Sequence, residues 1–138
     1  MGVDDEMGGD PACWSHLFEG DGQSATVDLT ELAKTAPGRG PIWTQQTDDL
    51  NVNLLRFSRG EGVAEHVNSE VDVLLMGVYG SGVVTINGNG NSLAAGQALI
   101  IPKGTVRSII ATDEFFSYLT CHRRRAGLMP TVGGRSPA

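Results

Sequence analysis

The run His66-Val67-Asn68-Ser69-Glu70-Val71-Asp72 sets an imidazole, an amide and a carboxylate close together along the chain. Alternate side chains of a strand share a face, so His66 and Asn68 point the same way, and Asp72 joins them if the intervening bend preserves parity. The imidazole titrates near neutrality and can serve as a general acid or base, or ligate a metal. An exposed polar strand edge would read the same way. Further along stands Arg107, whose planar fork suits a carboxylate or phosphate, from Asp72 or from a ligand. A solvated, outward arginine is the plainer alternative. Cys13-x-x-His16 and Cys121-His122 could make a Cys2His2 zinc site, although adjacent strand residues face opposite ways and share a metal poorly. Gly80-Ser81-Gly82 and Gly88-Asn89-Gly90 resemble phosphate loops only superficially, because neither leads into a Rossmann or Walker pattern; they read as turns.

The elements that must position these residues are mostly short strands. Ala25 to Leu29 alternates as a strand, and Thr30 to Lys34 suits one helical turn ended by Pro37-Gly38. Ile42-Trp43-Thr44 and Leu50 to Ser58 follow as strands, the second apolar on both parities. Beyond the Gly60-Glu61-Gly62 turn, Val71 to Tyr79 is nearly all apolar and reads as a strand buried on both faces. Gly80-Ser81-Gly82 is expected to turn the chain into Val83 to Ile86. Asn87-Gly88 is a hairpin signal, since both residues tolerate positive φ, and Ser92 to Ala94 is the return strand. Ala98 to Ile101, Arg107 to Ile110 and Phe115 to Cys121 complete the set, with Pro102-Lys103-Gly104 as a turn. Strands spaced in this way point to an all-β sandwich or closed barrel.

The order of these features resembles the cupin superfamily. The first cupin motif, Gly-x5-His-x-His-x3,4-Glu-x6-Gly, is matched at or near its places by Gly60, His66, Asn68, Asp72 and Gly80. The second, Gly-x5-Pro-x-Gly-x2-His-x3-Asn, is matched by Gly96, Pro102 and Gly104, with Arg107 in the histidine's place and Ala111 in the asparagine's. The Asn87-Gly88 hairpin lies between them, and the resemblance covers roughly Leu50 to Arg123. It implies a jelly-roll β-barrel (double-stranded β-helix), often homodimeric, with a pocket in its mouth and commonly a divalent metal on three histidines and a glutamate. Here His66 and Asp72 alone remain as metal donors, so any metal they hold is weakly bound. Arg107 opposes one further: two positive charges about 4 Å apart repel by roughly 4 kcal/mol at an effective dielectric of about 20, and a divalent ion doubles this. The resemblance therefore implies a pocket in which Arg107 stands in for the cation, with no cofactor, or at most a weakly held divalent ion.

Length and charge fit this reading. The chain has 138 residues, 40% hydrophobic and 19% charged, which suits one globular core. An arm over residues 1–24 with an apolar cluster at Trp14, Leu17 and Phe18, a barrel over 25–122 and a flexible tail over 123–138 are expected. Net charge is −6, with few Lys and Arg to neutralise phosphates, so nucleic acid is not an expected partner. Neither a secretory leader nor a span of roughly 20 apolar residues is evident, so a cytoplasmic protein without membrane association is expected. An apolar Val71 to Tyr79 needs cover outside the barrel, from a second copy or from the arm. Three functions stay open: a barrel binding a small, anionic organic molecule through His66, Asn68, Asp72 and Arg107; a metal-independent isomerase, lyase or cyclase with His66 and Arg107 as catalytic residues; and a metal-dependent oxygenase or isomerase with a thinned ligand set.

Overall fold

The computed structural model describes residues 25–124. The expected arm and almost all of the expected tail, with Cys13, Trp14, His16 and Phe18, lie outside the described residues.

The first element is a helix, α1 (Leu29–Thr35), rather than the strand expected over Ala25 to Leu29. Local chemistry overrides the short alternation: the Asp28 carboxylate accepts the Glu31 backbone N–H at 3.0 Å and caps the helix start. Ala36, next to Pro37, has left helical geometry and ends it. Seven strands follow: β1 (Gly40–Gln46), β2 (Leu50–Ser58), β3 (Gly62–Val67), β4 (Val73–Ile86), β5 (Asn89–Ala94), β6 (Ala98–Ile101) and β7 (Val106–Arg123). All pairings are antiparallel, in the order β1-β2-β7-β4-β5, with β3 also on β7 and β6 also on β4.

Two long strands make this sheet a folded one. β4 and β7 pair with each other from Leu74↔Cys121 to Ile86↔Arg107, and the ladder shifts register at Gly77/Tyr79 and again at Gly80/Gly82. On one side of the shifts they carry β2, β1 and β6; on the other, β3 and β5. The sheet doubles over at the shifts, and its two halves face each other across one core. Gly80 permits the bend: its φ is +73°, and a Cβ there would run into the Phe115 carbonyl. Gly80-Ser81-Gly82 is thus a kink inside β4 rather than the expected turn, and Arg107 to Ile110 and Phe115 to Cys121 are two ends of one strand. The Asn87-Gly88 hairpin forms as expected, with φ of 49° and 85°.

The core between the halves holds Val73, Leu75, Val84, Leu93, Ile101, Ile109, Phe116 and Tyr118. Outside, α1 packs on β2 and β4, burying Ala33; Leu54, on the parity of β2 opposite the core-facing Leu55, is buried too. The outer parity of β4 is less covered than its sequence suggests, since Leu74 is exposed while Val73 and Leu75 are buried. In register, Val52 lies beside Cys121, Cys121 beside Leu74, and Leu74 beside Ile100, which is also exposed. Among the described residues no helix is long and apolar enough to cross a membrane.

Candidate functional site

A cavity of about 550 Å³ opens between the two halves of the folded sheet. One wall carries Val63 and His66 of β3 with Arg107 and Ile109 of β7; the other carries Asn51, Asn53 and Leu55 of β2, Val73 and Leu75 of β4, and Tyr118, Thr120 and His122 from the far end of β7. Because β7 serves both halves, one strand brings Arg107 and His122 to the same space.

On the first wall, His66 and Arg107 are direct cross-strand partners. The hairpin holds this register, since the Asn87 side chain accepts the Val106 N–H at 2.9 Å and the Asn87 N–H donates back to Val106 at 2.7 Å. Arg107 is 6% exposed, and its Nε donates to His66 Nε2 at 3.0 Å. His66 Nδ1 lies 2.9 Å from the Ala64 carbonyl, within the slip of the β3–β7 ladder between Val63 and His66. A carbonyl only accepts, so Nδ1 carries the proton and Nε2 offers its lone pair to the guanidinium. These two bonds describe a neutral imidazole, because a protonated ring would present a second donor to Arg107.

Asn68 and Asp72 do not join them, and this corrects the expected convergence. β3 ends at Val67, so strand parity lapses before either residue is reached. Asn68 is buried, but its Oδ1 accepts the N–H groups of Glu70 (2.8 Å) and Val71 (3.3 Å), and its carbonyl accepts that of Gly104 (2.7 Å). The exposed Asp72 accepts the Lys103 N–H at 2.8 Å. Both tie the loop after β3 to the loop before β7, and neither lines the cavity. Asp72, one of the two kinds of partner open to Arg107 in the sequence, is engaged by Lys103 instead.

The second wall was missed in the sequence. Asn51 stands opposite His122, and Asn53 opposite Thr120, in the β2–β7 register. Asn53 Oδ1 accepts the Thr44 hydroxyl at 2.9 Å, and its Nδ2 donates to Asn51 Oδ1 at 3.3 Å and reaches Thr120 Oγ1 at 3.5 Å. His122 Nδ1 donates to the Arg123 carbonyl at 2.9 Å, so Nε2 is the ring nitrogen left for the cavity. Tyr118 lies between the walls, 1% exposed, with its ring 5.0 Å from that of Phe116 and 6.2 Å from that of Phe57. Its hydroxyl has no hydrogen-bond partner among the described residues, and burial raises its pKa well above the usual 10.0. The alternation of Asn51 and Asn53 with Val52 and Leu54 was the available signal. Cys121 and His122, whose adjacency on a strand already argued against a shared zinc, are divided by parity, with His122 at the cavity and Cys121 in the outer row.

These side chains do not fit the divalent metal that the resemblance implies. The lone pair of His66 Nε2 is directed at Arg107, the oxygens of Asn68 and Asp72 that bind are directed at backbone N–H groups, and a guanidinium cannot ligate. Among the described residues no three His, Cys, Asp or Glu side chains cluster as a metal set would.

No protein-family model matches the sequence, and comparison with curated proteins gives no match. Solved structures do match. A double-stranded β-helix protein from Klebsiella pneumoniae superposes with a TM-score of 0.64 at 19% identity, covering 78% of this chain and 91% of its own. A cupin protein from Bacteroides fragilis gives 0.51 at 25% identity over 65% and 80%. KdgF from Halomonas gives 0.56 at 23% identity over 62% and 78%. The doubled sheet with its inner cavity is therefore a double-stranded β-helix. The described residues form one barrel of the cupin fold.

Proposed function

We propose that this barrel binds a small organic anion, with Arg107 as the cation that fixes it. The observation that carries the reading is the Arg107–His66 bond inside the cavity. It orients a buried guanidinium through an acceptor that carries no charge of its own. Among the described residues lining the cavity none is acidic, and the field within it favours an anion. The same bond favours binding over proton transfer at His66, whose two ring nitrogens are both engaged. Arginine thus takes the place at which the cupin resemblance implies a metal. A thermal-shift screen of small carboxylates and phosphates tests the reading: anions should raise the melting temperature while their neutral amides do not, and equal stabilisation by the amides would contradict it.

Two copies are further proposed to pair through the outer row of Val52, Cys121, Leu74 and Ile100. The row is continuous across four strands, and two of its large apolar side chains are exposed.

A further inference from the structure

The second wall differs from the first in a way that bears on what the ligand is. Asn51, Asn53, Thr120 and His122 line the cavity, and none of them carries a fixed charge. Their side chains offer both donors and acceptors: the amide groups of the two asparagines, the Thr120 hydroxyl and His122 Nε2. A carboxylate or phosphate gains most beside Arg107, on the opposite wall. An ammonium would need an acid, and none of the described residues lining the cavity is one. The group suited to the second wall is neutral and both donates and accepts through one atom, which is a hydroxyl. Facing sheets lie about 10 Å apart, so a short molecule reaches both walls at once.

We infer that the ligand is a small hydroxylated carboxylic acid, held by its carboxylate at Arg107 and by its hydroxyl at the row of Asn51, Asn53, Thr120 and His122. This rests on the reading of Arg107 as the anion's partner and adds the class of molecule. The row acts as a specificity filter. An acid lacking the hydroxyl leaves these groups without a partner from the ligand, and discrimination of that kind is large when the groups are desolvated. Cross-strand pairing of Asn51 with His122 and Asn53 with Thr120 fixes the row on the sheet, and the Thr44 hydroxyl bond to Asn53 sets the orientation of its amide.

The test is calorimetric titration of the full chain with ω-hydroxyalkanoates and plain alkanoates of matched length, from butanoate to hexanoate. At the best length the hydroxy acid should bind about tenfold tighter than its plain counterpart. The near-isosteric Asn53→Leu and Thr120→Val should bring that ratio towards one. Arg107→Lys should weaken both series and leave the ratio in place. Equal binding of the two series by the wild type, with both still dependent on Arg107, would overturn the hydroxyl assignment and leave the anion reading standing. A preference that survives both wall variants would also overturn it. If the wild type binds none of these acids, the anion reading falls and this inference falls with it.

Discussion

At the scale of residues, three side chains set the character of the cavity: Arg107 supplies charge, His66 orients it, and Tyr118 lies between the walls with a buried hydroxyl. A buried hydroxyl without a partner contributes nothing to the fold, so Tyr118→Phe should leave stability at neutral pH unchanged or slightly raised, as read by the denaturant midpoint. Its raised pKa has a further consequence. Stability is unaffected by this group below the unfolded value of 10.0 and falls as pH rises beyond it, because the unfolded tyrosine releases its proton while the folded one keeps it. Unfolding free energy measured at about pH 9 and about pH 11 should therefore fall more in the wild type than in Tyr118→Phe. Equal slopes would show that burial does not hold the phenol protonated. The sequence disclosed His66 and Arg107 because their spacing matched two motifs. It hid the second wall because Asn51 and Asn53, alternating with apolar residues, make the same pattern as a strand with one face in water.

At the scale of elements, the bend in β4 and β7 determines which residues meet. β2 and β6 were legible to the residue, since turn or breaker residues stand close to their ends and a single apolar run lies within. β4 and β7 were not. A Gly-Ser-Gly run looks the same whether the chain turns or merely kinks, and only pairing with a distant strand carries it through. The helical turn expected over Thr30 to Lys34 is α1, one residue longer at each end, and only the strand expected before it was misread, because one capping carboxylate decides where the helix starts. The bend yields a comparison between two glycines. Both Gly80 and Gly88 have positive φ, but a Cβ at Gly80 meets the Phe115 carbonyl and one at Gly88 meets open space. Gly88→Ala should cost about 1–2 kcal/mol, the usual penalty for left-handed backbone, and Gly80→Ala clearly more. Urea midpoints for the two variants give the comparison, and equal losses would mean that the bend tolerates a side chain.

At the scale of the whole molecule, the folded sheet leaves an apolar row outside and a charged, hydrogen-bonding cavity inside. The sequence showed that Val71 to Tyr79 was apolar on both parities; what it could not show was how little of the outer parity α1 covers. If two copies share that row, Ile100→Lys combined with Leu74→Lys should convert a dimeric mass by light scattering into a monomeric one without altering the melting curve of the barrel by more than a few degrees. A wild type that is already monomeric would exclude the pairing. The cavity carries the central claim, and calorimetric titration of wild type, Arg107→Lys and Arg107→Met with the best carboxylate from the screen tests it most directly. Retained charge without the Nε bond to His66 should weaken binding in Arg107→Lys, and Arg107→Met should lose at least about tenfold. Undiminished affinity in a folded Arg107→Met would contradict the account.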